Sequence, residues 1–371
     1  MSRRYLAATI LAALIGVGVV LLPAQEERSA PIPEGVSETY QAPAAGVLST
    51  VAPPAEPSVA VPNATGDACL PTMTQAEVDA YFAKQEEHFR VTAEHLAESD
   101  DGEMALAAAL LLQGRGGTAA VALERAWQLA PQSPLVAWNI LRTCRDGDRS
   151  NCDMDQVEAN AIRADGDNGA VWMELAMLQL SRGHVDRAEL AVRSAIAAPR
   201  FDSYFIDHAR LIERALEAGG DSTYTERMIT GIGYSAALVV SYYGITNHCA
   251  TIDASDAVWV DLCQQLGEKM YADGRILLDR AIGTSLVKIA MRHTGDTEKL
   301  ERATRREEGF RERYLELIVP VDAQNLLGND EAVLRQHVEN HVTFGEIVAL
   351  TRLASEVARL KEVDGYDQCN F

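Results

Sequence analysis

Along most of the chain apolar residues recur at three- and four-residue spacing, and hardly any segment alternates with period two. The first pattern lines one face of an α-helix, whereas the second would mark a half-buried strand. β-Branched runs are short, such as Leu238-Val239-Val240 and Leu317-Ile318-Val319. The pattern predicts an all-α protein. A first helix is expected after Thr74, where Thr74 and Glu77 have the spacing of a capping box. Another runs from Asp202 to Ala218 and closes at Gly219-Gly220. Later helices are expected near 254–272, 274–293, 296–317, 322–326, 330–343 and 345–363. Met228 to Asn247 carries no charge. It reads as a buried central helix, with a membrane span as the weaker alternative because of its glycines and hydroxyls.

The first 66 residues break this pattern. Arg3 and Arg4 precede an uncharged run from Tyr5 to Gln25, with Glu26 and Glu27 beyond. Cations before an apolar stretch keep the N-terminus cytoplasmic. The apolar part, Leu6 to Leu22, is long for a signal peptide and just long enough to span a bilayer. An uncleaved anchor and a cleaved signal both remain open. Residues 26–66 hold Pro31, Pro33, Pro43, Pro53, Pro54, Pro57 and Pro62 among Ala, Ser and Val. Such a stretch cannot bury a core and reads as a disordered, semi-rigid spacer.

Within the helical part a period of 34 residues stands out. Trp138 and Trp172 are 34 residues apart and each opens an apolar helix. The same step links Ala120, Met154 and Ala188, and then Trp127, Ala161 and Ala195. Units end at Ala130-Pro131, Ala164-Asp165 and Ala198-Pro199, so the units are 101–134, 135–168 and 169–202. Two helices and two turns fill such a length. Small Ala176 and Ala188 allow close helix crossing, and Gly183 suits the tight turn between helices. This resembles the tetratricopeptide repeat over residues 101–202, most clearly in 169–202. Unit 135–168 departs from it, with Arg142 where a small crossing residue is usual. The resemblance implies an array whose first helices line a concave, partner-binding groove. In this chain that face would carry Asn139, Thr143, Met173, Met177 and Leu180. The expected organisation is 1–25 signal or anchor, 26–66 spacer, 67–222 tetratricopeptide-like array and 223–371 C-terminal helical domain.

Six cysteines add a compartment. Cys144 and Cys152 bracket a polar loop, Cys249 and Cys263 bracket a second segment, and Cys69 and Cys369 lie near the ends of the folded part. Sequence proximity suggests the pairs 144–152, 249–263 and 69–369 among fifteen possible pairings. No Cys-x-x-Cys is present, which argues against structural zinc. Disulfides belong in an oxidising space, and with the N-terminus they place the chain in the periplasm, tethered to the inner membrane if residues 5–22 stay attached. The net charge of −21, from 54 acids and 33 bases, repels phosphate backbones, so nucleic acid is not an expected partner. Membrane contact is expected only through the N-terminal segment.

Motifs for chemistry are thin. His337 and His341 would share one helix face, as a zinc pair does, but no third ligand is evident. Gly233-Tyr-Ser235-Ala-Ala237 partly matches a nucleophile elbow, yet lacks the strand before it and the last glycine. Asp146-Gly-Asp148 and Asp165-Gly-Asp167 lack the glutamate that a calcium loop needs, since Val157 and Ala176 occupy its position. No phosphate-binding glycine loop or dinucleotide fingerprint occurs. The expectation is a non-enzymatic envelope scaffold or adaptor without cofactor, binding a protein or peptide. The alternatives are an envelope hydrolase or metal protein using Ser235 or His337 and His341, and a structural subunit of a membrane-bound assembly.

Overall fold

A computed structural model describes residues 74–113, 117–147, 152–220, 222–238, 242–318 and 321–363. The expected anchor or signal, the spacer, and Cys69 and Cys369 all lie outside the described residues.

Sixteen helices and no strand are found among the described residues. The first, α1 (Gln75–Leu96), starts at the expected capping box: Glu77 N–H donates to Thr74 Oγ1, and Thr74 N–H donates to Glu77 Oε2. Three helix pairs follow: α2 (Gly102–Leu111) with α3 (Gly117–Leu129), α4 (Pro134–Asp146) with α5 (Met154–Asp165), and α6 (Gly169–Ser181) with α7 (Val185–Ala197). These are the three 34-residue units. Ala108, Ala176 and Ala188 are fully buried as the spacing predicts, whereas Ala120 of the first unit is exposed and Ala122, two residues on, is the buried alanine of α3. Gly183 turns the chain from α6 to α7 at φ +75, a conformation that costs any other residue strain.

A fourth pair, α8 (Phe205–Ala218) and α9 (Tyr224–Ala237), continues the array. A Cβ on Gly231 would lie 2.2 Å from Ala209 O, so these helices meet backbone to backbone. A second capping box, Thr223 with Glu226, starts α9. The uncharged stretch 228–247 is therefore not one central helix. It breaks after Leu238 and resumes as α10 (Tyr243–Thr251). No described helix is long and apolar enough to cross a membrane.

The rest comprises α11 (Ala257–Asp273), α12 (Leu277–Thr294), α13 (Thr297–Ile318), α14 (Val321–Asn329), α15 (Glu331–Phe344) and α16 (Glu346–Lys361). Each begins within three residues of its expected start. Disulfides join Cys144 to Cys152, across the α4–α5 turn, and Cys249 to Cys263, tying α10 to α11; both span 5.9 Å between Cα atoms. Such pairs point to an oxidising compartment.

One hydrophobic cluster runs without interruption from Ala93 through the helix pairs to Ala303. It crosses the expected division at 222/223: Met173 and Trp138 share it with Tyr242, Ile245 and Leu286. The two halves are packed on each other.

Candidate functional site

The residues expected to line a concave groove face inward. Met173 is fully buried, Met177 is 3% exposed and Asn139 is 6% exposed. Leu180 and Thr143 are half-buried. This corrects the expectation of an open groove, and the reason is the chain's own later half. Helix α10 lies against α6, and a Cβ on Gly244 would touch Met177 Cγ at 3.5 Å. Its inner face carries Ile245 and Cys249, both buried and one helical turn apart, and Tyr242 at its start is buried as well. Asn139 Nδ2 donates to Leu135 O at 2.8 Å and lies 2.8 Å from His208 Nε2. Thr143 Oγ1 donates back to Asn139 O.

Charged groups accompany this filling. Arg142, the residue that departs from the repeat pattern, donates to Leu238 O and thereby caps the end of α9. Burial pulls its pKa down. Glu174 is fully buried and bound by Arg145, while desolvation pushes its carboxyl upward against the pull of both arginines. Farther along, Asp279 accepts from Ser203 Oγ at 3.2 Å and from Tyr242 Oη. Complete burial raises Asp279 to about 7. Glu346 accepts from Leu277 N–H at 2.6 Å and is likewise raised by burial to about 7. Two of these contacts, Arg142 to Leu238 O and Ser203 to Asp279, join the two halves.

His337 and His341 do share one face of α15. His341 is 4% exposed and stacks on Phe205 with ring centroids 5.9 Å apart. Burial lowers His337 to about 4 and His341 to about 3, so both are neutral near pH 7. No group of three His, Cys, Asp or Glu side chains arranged to hold a metal is found among the described residues. Ser235 is 2% exposed within α9, with its hydroxyl unpartnered, and sits on no strand-to-helix turn.

An accessible site lies on the opposite face of the array. A groove of about 190 Å³ runs between α5 and α7 over α6. Trp172 and Leu175 form its floor, and Ile162 and Leu190 its walls. Leu190 is 65% exposed and Ile162 37%, so both side chains are open to a partner. The Trp172 ring is held in place because Nε1–H donates to Gly166 O at 2.7 Å. Glu158, Gln179 and Arg187 close one end. Gln179 Nε2 donates to Glu158, and its Oε1 lies 3.0 Å from His184 Nδ1. Burial raises the Glu158 pKa, opposed by Arg187. A flat aromatic floor with aliphatic walls and a polar end suits a short apolar segment of another chain. Sequence reasoning missed this groove, although Leu190 stands three residues from both Arg187 and Arg193, outside the small-residue positions that build the crossing.

No family model matches the sequence, and no curated protein or solved structure is similar to it. The helix pairs and the groove must therefore carry the functional argument.

Proposed function

We propose that this protein is a periplasmic, tetratricopeptide-like scaffold that binds a partner protein or peptide through the outer groove between α5 and α7. The observation that carries this is the exchange of faces: α10 occupies the concave side, whereas Leu190 and Ile162 remain exposed beside Trp172 on the outer side. Exposed apolar walls around a fixed aromatic ring suit a recognition groove. The two disulfides and the apolar N-terminal run support an envelope location, with tethering by residues 5–22 as the simplest way to hold the body near the membrane. The hydrolase and metal alternatives draw no support from the surroundings of Ser235, His337 or His341.

The test is site-specific photo-crosslinking from position 187 in intact cells, with and without Leu190→Glu. A defined crosslinked partner is expected, together with a loss of at least about tenfold in the variant, since charging a desolvated contact costs roughly 1.4 kcal/mol or more. An unchanged crosslink in Leu190→Glu, with the fold intact by circular dichroism, would refute binding at this groove.

A further inference from the structure

We propose that the last three described helices, α14–α16, form an acid-sensitive latch. They stay docked on α8 and α9 near pH 7, and they detach when His337 and His341 take up protons, before the helix pairs unfold. The inference does not depend on the outer groove.

The unit is thinly attached. No described residue of α14–α16 belongs to the hydrophobic cluster that runs from Ala93 to Ala303. Its own buried core is Ala323, Leu326, Leu353 and Val357. A core of that size does not hold roughly 40 residues folded alone, so these helices persist only while docked. Docking rests on a second small cluster, in which Leu334 and Val338 of α15 meet Ile206, Ala209 and Met228 of α8 and α9. Helix α16 also touches α13. A polar lock closes the same seam. Gly345, at φ +85, has Arg275 O 2.9 Å from where a Cβ would stand. Glu346 N–H donates to Arg275 O at 2.8 Å, and Leu277 N–H donates to Glu346 Oε2 at 2.6 Å. Arg275 donates to His341 O at 3.1 Å and to Val342 O.

Both histidines sit here with a buried nitrogen that has no partner among the described residues. The His341 ring stacks on Phe205 of α8, and its Nε2 makes no hydrogen bond. The His337 ring bonds to the backbone of Ala349 in α16, which leaves Nδ1 unpartnered. A proton added at Nδ1 makes a cation without an acceptor. The charges that act on His341 are His337 and the Arg275 guanidinium, and both repel positive charge. Carboxylates around the seam are engaged elsewhere: Asp202 pairs with Arg275 at 3.3 Å, Asp322 with Lys361, and Glu346 holds Leu277 N–H. Arg335 lies over the Tyr224 ring of α9, and Arg352 donates to Asn340. The docked form therefore holds neutral rings, and proton uptake belongs to the detached form.

Two signs oppose each other. Burial holds His337 at about 4 and His341 at about 3, against 6.5 when free, so docking weakens as pH falls below about 6.5. Burial raises Glu346 from 4.5 to about 7, so its contribution to docking grows as pH falls from 7 to 4.5. Burial and Asp202 raise the Asp207 carboxyl of α8 against the pull of Arg210, Arg275 and Arg200, with the same sign as Glu346. Between pH 7 and 5 each ring shifts the balance roughly 25-fold toward release and Glu346 roughly 40-fold toward docking, so the two rings together win.

The experiment follows hydrogen–deuterium exchange of the full chain by mass spectrometry at pH 7 and pH 5, corrected for intrinsic rates. At pH 5 the slowest amides of α15 and α16 should be protected at least about tenfold less than those of α6, because the unit opens while the pairs stay closed. His341→Phe keeps the ring stack but takes no proton. It should raise protection of α15 and α16 at pH 5 at least about tenfold more than at pH 7. Glu346→Gln removes the opposing carboxyl and should lower their protection at pH 5 at least about tenfold more than at pH 7. A purely structural role for either residue would change both pH values alike. Equal protection of α15, α16 and α6 at pH 5 would overturn the latch, since acid then opens the whole fold at once. So would an effect of either substitution that is the same at the two pH values. If His341→Phe loses its helical circular dichroism at pH 7, His341→Gln replaces it with the same expectation.

Discussion

At the scale of single residues, stability rests on close backbone approaches and on buried ionisable groups. A Cβ on Gly267 would lie 2.7 Å from Gly283 O and 2.9 Å from Val287 N, so α11 and α12 meet where neither can carry a side chain. Gly267→Ala must push these helices apart and is expected to cost about 1–3 kcal/mol, read from the urea midpoint. An unchanged midpoint would mean the helices can slide freely. Asp279 titrates near 7 in the folded chain but near 3.8 when unfolded. Between these values the folded state holds the extra proton, so stability falls as pH rises through that window and levels off above it. Asp279→Asn removes this dependence. Its stability relative to the unsubstituted chain should be higher at pH 8 than at pH 5 by about 2–3 kcal/mol. His337 and His341 act with the opposite sign: their lowered values withdraw stability as pH falls below about 6.5 toward 4 and 3. If the difference between Asp279→Asn and the parent does not vary with pH, the carboxyl is already ionised in the fold.

Among the elements, local signals were legible and distant ones were not. The Thr74–Glu77 cap and the turn at Gly183 depend on neighbours within a few positions, and both occur where the sequence places them. The break in 228–247 was missed because the stretch lacks proline and charge. Beyond the break Tyr242 reaches Asp279 and Gly244 lies over Met177, contacts between residues far apart in sequence. The disulfides differ in access. Cys249 and Cys263 are 0% and 1% exposed, whereas Cys144 is 5% exposed and Cys152 is half-buried beside a turn. Native reduction followed by alkylation should therefore label Cys144 and Cys152 first, seen by peptide mass spectrometry, because exchange requires attack on an accessible sulfur. Simultaneous labelling of both pairs would show that α10 opens as readily as the α4–α5 turn.

For the whole molecule, the continuous cluster from Ala93 to Ala303 joins what the sequence divided at 222/223. Buried links such as Ser203–Asp279 and Arg142–Leu238 O would be severed if the halves parted. Urea unfolding should thus show one transition, with near- and far-ultraviolet circular dichroism coincident. Two separated transitions would show that 67–222 and 223–371 unfold as independent domains. The all-α class, the helix pairs with their 34-residue step and the two local disulfides followed from sequence alone, because each depends on residues close along the chain. Which face of the array is free depended on the tertiary structure. Groove residues such as Met173 and Met177 look alike in sequence whether a partner or the chain itself covers them. Only packing shows α10 against Met177, with Ile162 and Leu190 exposed beside a half-buried Trp172. Burial against a segment some seventy residues away leaves no mark in the local pattern.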